Sequence, residues 1–450
     1  MKPDKKAFYV KMGTIAIPVI VQNLLVNSLT FVDTLMIGQL GASAIAAVGL
    51  ANQVSFLINL FFFGICSGSS IFLAQFFGAK NYQSIQKLMV LALLISTIGS
   101  LFFGILAIFF PQQVMHIFTY DQLVVELGCE YLRYIGLSFI CLAFSGIFAA
   151  GLRATNLAKI PLQVSLISLL TDVVLNYFLI FGIGPFPTWG VKGAAIATVI
   201  SRIVEMFLLI FLTYKFKNPC AITSKAAFSL NKKFIFKIIP TCIPVVCNEF
   251  FWAVGMMIYK IAFSKLGMDV IAAVNVNESI GNLFFVAMFG VASSALIMIG
   301  QKIGEKDLAE ARVYCRRFSI LSFIIGLLMG FLQIAFAPQF LKAFNISEGI
   351  ALTARRCLYV NALLYPIKSF DTTLIVGILR SGGDTKFSMF DELLSVWLIG
   401  IPLAFLGCAI LKWDIWYVYL LVSAEELTKG LIGLLRVKSG KWLKDLSAIH

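Results

Sequence analysis

Four stretches of this chain contain no Asp, Glu, Lys or Arg: Ala51–Ala79, Leu88–Phe110, Tyr134–Leu152 and Phe318–Leu341. Each is long enough to cross a bilayer, which takes about 20 residues of helix. Lipid offers no hydrogen-bond partner to an open backbone, so such runs must be helical. The alternation of apolar and polar residues that a membrane β-barrel needs is absent. Extending the same reading predicts twelve spans, at 12–37, 44–77, 88–110, 130–152, 160–183, 190–214, 234–262, 269–300, 316–337, 354–379, 387–411 and 414–435. The longest polar connection, Lys215–Lys233, divides the chain into two nearly equal parts. The fold class is therefore an all-α polytopic membrane protein, with twelve transmembrane helices in two pseudo-symmetric six-helix lobes, 1–214 and 234–450. A cytoplasmic linker, 215–233, joins them, and the second lobe ends in a short basic tail.

Composition agrees: 60% of residues are hydrophobic and 13% charged, against about 25% charged in soluble domains, and mean hydropathy is +0.93. Basic residues cluster in alternate loops. One set is Lys2, Lys5, Lys6 and Lys11, then Lys80 and Lys87, then Arg153 and Lys159. The same side takes Lys215, Lys217, Lys225, Lys232, Lys233 and Lys237, then Lys302, Lys306, Arg312, Arg316 and Arg317. It ends with Arg380 and Lys386, then Arg436, Lys438, Lys441 and Lys444. These are 25 of the 36 basic residues, while the opposite loops hold mainly Lys192, Lys265, Lys342 and Lys412. The positive-inside rule then puts both termini in the cytoplasm. The net charge of +14 is thus a topology signal, and no nucleic-acid partner is expected. Met1–Lys11 leads into a full-length span, so no cleaved signal peptide is expected.

The chain repeats itself. With Pro18 set against Pro244 and no gap, Leu40-Gly41 meets Leu266-Gly267, and Ile45-Ala46-Ala47-Val48 meets Ile271-Ala272-Ala273-Val274. Further on, Gln75, Gly78 and Lys80 meet Gln301, Gly304 and Lys306. Between residues 40 and 80 there are 14 identities in 41 positions, several of them polar or glycine. A second echo sets Leu152-Arg153 and Lys159 against Leu379-Arg380 and Lys386. Six spans per half make this a parallel repeat about an axis along the membrane normal, an architecture suited to alternating access.

Three segments carry a family resemblance. They are Pro18 with Phe31-Val32-Asp33-Thr34-Leu35-Met36-Ile37-Gly38, then Gly193-Ala194-Ala195-Ile196-Ala197-Thr198, then Leu379-Arg380-Ser381-Gly382-Gly383-Asp384-Thr385-Lys386. On these the chain resembles the multidrug and toxic compound extrusion (MATE) family over nearly its whole length. The resemblance implies a V-shaped pair of lobes and export of drugs or metabolites against inward proton or sodium flow.

A carboxylate at bilayer depth costs about 2.5–3.5 kcal/mol on insertion scales, so its retention points to use or to pairing. A proton-coupled exporter needs a carboxyl that gains and loses a proton; a sodium-coupled one needs it ionised, among further oxygens. Asp33 shares a broad helix face with Gln22, Val26 and Thr30, and it matches the family's acidic residue in the first span. Asp172 and Asn176 are four apart, hence on one face, in the reverse order to that often seen in the family. Asn52 and Thr198 are lesser candidates. In the second half Glu249 matches a glutamate used by some sodium-coupled members, Glu278 is the repeat counterpart of Asn52, and Asp371 falls where the family carries an acidic ligand. No metal cofactor is expected; the coupling ion is H+ or Na+, with sodium placed at Asp33, Asp172 and Asn176 or at Glu249. Asp391, Glu392, Glu425 and Glu426 also lie in apolar stretches, with Arg202, Lys260, Lys368 and Lys429 as available partners. Pro18 and Pro244 are hinge or kink positions.

No P-loop, G-x-S-x-G or metal-spaced His/Cys set is present, so an enzyme is not expected. The reading is a secondary antiporter of small, amphipathic organic cations, acting as a monomer among membrane lipids in the cell membrane. A lipid-linked oligosaccharide flippase of the related superfamily, a metabolite exporter, a major-facilitator carrier and a channel are the alternatives.

Overall fold

The apolar runs fold as long helices in the computed structural model, which describes residues 5–184, 186–223, 230–344 and 346–448. The side chains of Thr30 and Phe31 lie outside that description, as do Lys2, Lys225 and His450. The first seven helices are α1 (Lys5–Gly38), α2 (Ala42–Gly78), α3 (Tyr82–Phe109), α4 (Pro111–His116), α5 (Gln122–Ala154), α6 (Lys159–Phe181) and α7 (Gly190–Lys215). Next come α8 (Lys232–Ser264), α9 (Met268–Gly304), α10 (Leu308–Lys342) and α11 (Glu348–Thr372). The last are α12 (Thr385–Leu393), α13 (Ile401–Phe405), α14 (Ile415–Val422) and α15 (Ala424–Lys438). Widened π-helical turns extend α11 over Thr373–Leu379 and flank α13 at Leu394–Gly400 and Leu406–Ile410. Among the described residues there is no β-strand.

Among the described residues, eleven helical segments are long and apolar enough to span a membrane. The twelfth expected span, 414–435, is covered by α14 and α15, which meet at Ser423 in helical backbone, with the Ser423 N–H donating to Tyr419 at 3.1 Å and the Leu427 N–H to Ser423 at 3.2 Å. α15 carries Glu425, Glu426 and Lys429 in its first half, and it turns Glu425, Lys429, Gly430 and Gly433 into the protein. Hydropathy also missed α4 and the π-helical turns, which leave no apolar signature of their own.

The chain forms two compact units. One gathers Val21–Leu73 and Asn81–Phe236, where α5 packs on α3 and α7, and α7 on α6. The other gathers Met1–Ile20, Ala74–Lys80 and Lys237–His450, where α9, α10 and α11 pack together. α1 passes from one unit to the other two residues after Pro18, and its helix continues through the proline.

The sequence repeat returns in the backbone. Gly41 has φ +109° and its counterpart Gly267 has φ +107°. Lys80 and Lys306 both adopt the left-handed region, at φ +55° and +62°, which costs a non-glycine residue about 1–2 kcal/mol. Each ends a helix whose successor is capped alike: Asn81 accepts from the Ser84 N–H at 3.1 Å, and Asp307 from the Glu310 N–H at 3.0 Å. Such caps contribute about 1 kcal/mol.

The C-terminal ends of α2 and α9 touch through these repeated positions. A Cβ added at Gly78 would fall 2.0 Å from the Gln301 carbonyl oxygen, and one at Gly304 would fall 1.9 Å from the Gln75 carbonyl oxygen. Gln75 then binds the chain's last residues. Its amide donates to the Ser381 and Lys444 carbonyls at 2.8 and 3.2 Å, and its oxygen accepts from the Leu446 N–H at 2.7 Å. Lys444 and Arg436 both reach Asp384, at 2.6 and 2.7 Å. Burial works against the ionised Asp384, but those hydrogen bonds outweigh it and hold the carboxyl below its ordinary range. Counterpart Gln301 accepts instead from Lys11 Nζ at 2.7 Å.

Gly78→Ala and Gly304→Ala each force two backbones apart. Each should destabilise the protein by at least about 1–3 kcal/mol, read as a lower thermal midpoint of the detergent-purified protein. An unchanged midpoint in both contradicts the crossing.

Candidate functional site

In the first unit three of the expected residues meet. Asp172 and Asn176 project from the same face of α6 and are 0% and 1% exposed. The Asn176 amide donates to Asp172 Oδ2 at 3.0 Å and to Asp33 Oδ1 at 2.8 Å. One carboxamide nitrogen thus bridges α1 and α6. The two carboxyls also meet each other directly. Ser201 of α7 donates to Asp172 Oδ1 at 2.8 Å, and Thr198 touches the same carboxyl while donating to its own helix at Ala194. The Asn176 carbonyl oxygen is buried with no donor. Asn52 stands apart: it is exposed, and it accepts a long contact, 3.5 Å, from the Tyr131 hydroxyl.

Around this group lies a polar chain. Arg202 pairs with Glu205 at 2.8 Å, Glu205 accepts from Ser165 at 3.1 Å, and Ser165 accepts from Gln22 at 2.9 Å. Gln22 accepts from Arg153 at 3.1 Å. Arg202 is close enough to act electrostatically on Asp33 and Asp172. The group thus combines two carboxyls, one free carbonyl oxygen, two hydroxyls and one neighbouring cation. It can hold a proton between the carboxyls or a small cation among the oxygens.

The acids of the second unit do not gather at one point. Glu249 of α8 is salt-bridged to Arg380 at 2.8 Å, with both side chains almost fully buried. Glu278 pairs with Lys260 at 2.8 Å on a half-exposed face, away from the others. Asp371 lies against α15 beside Glu426 and Lys429. Asn248 donates to Glu392 at 2.6 Å. Lys368 donates to Asn361 at 2.9 Å. Lys429 reaches Glu425 and Glu426 at 3.0 and 3.2 Å. Pro244 lies inside the unbroken α8, as Pro18 does in α1.

The MatE family model matches residues 18–178 and, a second time, residues 244–406. The chain belongs to the MatE family. The two matches begin at Pro18 and Pro244, the same pairing that aligns the internal repeat. As a MatE protein the chain is a multi-pass membrane transporter of small molecules and not an enzyme. It is 27% identical over 451 residues to the uncharacterized transporter YisQ of Bacillus subtilis, covering 98% of this chain and 96% of that one. It is 23% identical to the probable multidrug resistance protein NorM of Thermotoga maritima, covering 96% and 92%. Its fold matches a solved outward-facing multidrug resistance MATE family transporter with a TM-score of 0.86, at 20% identity and 96% coverage of both chains.

Sequence reasoning missed Ser201, Tyr131 and the chain from Glu205 to Arg153. A signal was present. Thr198, Ser201, Arg202 and Glu205 recur at three- and four-residue steps in an otherwise apolar helix, which puts them on one face. Such a stripe in a membrane helix marks an internal polar contact.

The Glu249–Arg380 pair makes a stability prediction. Removing one partner of a buried pair strands the other charge, at a cost of about 3–5 kcal/mol. Glu249→Gln should lower the thermal midpoint sharply, and Glu249→Gln with Arg380→Gln should recover part of the loss. A single variant as stable as the parent contradicts the pairing.

Proposed function

We propose that this MatE transporter is an antiporter, exporting small amphipathic organic cations in exchange for protons carried by Asp33 and Asp172. The observation that carries this reading is the bridge from one Asn176 amide to two carboxyls on different helices, inside the apolar spans. Two carboxyls in direct contact repel when both are ionised and bind one another when they share a proton. A site that accepts one proton and yields it when a cationic substrate arrives is what exchange requires. The names of the NorM relatives support drug-like substrates.

In this mechanism two six-helix lobes, 1–214 and 234–450, rock about Pro18 and Pro244 with both termini in the cytoplasm. Open outward, the acid pair takes up a proton and the substrate leaves. Open inward, the proton leaves and the next substrate binds. Binding of the two ligands is mutually exclusive, so the proton gradient drives the substrate out. No cofactor or partner chain takes part. A second reading, sodium in place of the proton, is favoured by the unpartnered Asn176 carbonyl oxygen, a third oxygen ligand beside two carboxylates.

The test is transport by purified protein in sealed vesicles, with imposed proton or sodium gradients and a panel of organic cations. The parent should concentrate a substrate against its gradient when protons flow the other way. Asp33→Asn and Asp172→Asn should each reduce that uphill flux at least about tenfold while inserting normally. Undiminished uphill flux in Asp33→Asn overturns the proposal, and a response to sodium alone selects the second reading.

A further inference from the structure

α2 passes from one unit to the other between Leu73 and Ala74, and its last turn carries Gln75, which is 0% exposed. The Gln75 backbone carbonyl sits at the crossing, where Gly304 of α9 makes room for it. The side chain of the same residue is engaged by the C-terminal tail. A buried carboxamide needs acceptors for its nitrogen and a donor for its oxygen. The Ser381 and Lys444 carbonyls meet the first need and the Leu446 N–H the second. The repeat counterpart, Gln301, is held by Lys11 of α1. Each end of the chain is thus tied to one of the two glutamines that flank the crossing.

The loop between α11 and α12 is shaped to receive the tail. The Lys444 N–H donates to the Gly382 carbonyl at 3.1 Å. A Cβ at Gly382 would fall 2.1 Å from the Trp442 carbonyl oxygen, and one at Gly383, where φ is +72°, would fall 2.5 Å from Leu446 Cδ1. Glycine admits both the close backbone and the left-handed turn. Trp442 is 1% exposed, so a large apolar side chain anchors the segment as well. Lys444 and Arg436 then close on Asp384, and the Arg436 guanidinium lies 4.6 Å over the Phe387 ring. The loop in turn is fixed to α9, because a Cβ at Gly377 just before it would lie 2.8 Å from Ala295 Cβ. The tail therefore joins the end of α2 to a loop braced on α9. Its Lys444 side chain is 47% exposed, against 24% for Arg436, so water reaches this link first.

We propose that residues 439–448 are a latch that holds this end of the transporter shut, and that their release from Gln75 is a step of opening. The proposal rests on the alternating-access part of the reading above and is independent of the coupling ion. For α2 to part from α9 at Gly78 and Gly304, Gln75 must leave the tail, or the tail must leave Gly382 and Asp384. Either way the hydrogen bonds of the latch break together with the crossing. A tail that detaches makes opening easier; a tail that stays makes it rarer.

The test is hydrogen–deuterium exchange of the full-length protein in lipid nanodiscs, read at the last turns of α2 (residues 74–80) and α9 (residues 300–306). Two variants are compared with the parent: a chain ending at Lys438, and Lys444→Glu. Losing the latch should speed exchange at least about tenfold at both turns, while α5 and α7 keep their parental rates. Lys444→Glu keeps the chain entire and sets like charge against Asp384, so it decides the matter where truncation loosens α5 and α7 too. Faster exchange at the α2 turn alone makes the tail a local cover and overturns the latch, as do parental rates in Lys444→Glu. A transported cation added to the parent should itself change exchange at both turns. No response there contradicts alternating access; a response there with both variants at parental rates sinks the latch alone.

Discussion

A carboxyl shut away from water must be met by a donor, by a cation or by a proton. That requirement sorts the acids of this protein. Glu249 meets Arg380, Glu278 meets Lys260, and Glu425 meets Lys429 and Tyr259. Asp33 and Asp172 share one amide donor and each other. Among the described residues no donor reaches Asp371 or Asp391. An acid with a full-time cation is part of the scaffold; an acid whose partner is another acid has a vacancy for something that comes and goes.

The duplicated scaffold and its chemistry obey different rules. Backbone geometry is repeated closely: the glycine pair 41 and 267, the left-handed lysines 80 and 306, and the caps at Asn81 and Asp307 agree in detail. These positions are fixed by sterics, because a crossing under 3 Å admits no side chain and a left-handed turn admits few. Side-chain chemistry has diverged over the same frame. Gln75 binds the C-terminal tail while Gln301 binds Lys11, and Asp33 faces Tyr259 across the register.

The helices were legible in the sequence because lipid makes apolar length nearly sufficient as a rule. Among the described residues eleven helices follow it outright, and the last stretch, α14 with α15, carries Glu425, Glu426 and Lys429 in its run. The repeat was legible because glycine and polar identities do not arise from hydrophobic composition. The first site was legible for Asp33, Asp172 and Asn176, since intramembrane acids are rare and a spacing of four puts two residues on one face. Ser201 was hidden, because a serine in a membrane helix is unremarkable until its neighbours across the interface are known. The ion pair of Glu249 was hidden, since its partner Arg380 lies 131 positions away. Asp371 was visible, but its companion Glu426 sits on a helix the hydropathy pattern blurred.

In the proposed exchange, proton loss on substrate binding is the step on which everything else turns, and calorimetry reads it without a membrane. The purified protein is titrated with a transported cation in buffers of differing ionisation enthalpy, and the number of protons released is the slope of heat against that enthalpy. Linkage requires a ligand that displaces a proton to show it here. The parent should release protons on binding, and Asp33→Asn should release fewer. Heat that does not depend on the buffer, or equal release from the two proteins, would contradict the exchange of substrate for proton at this acid pair.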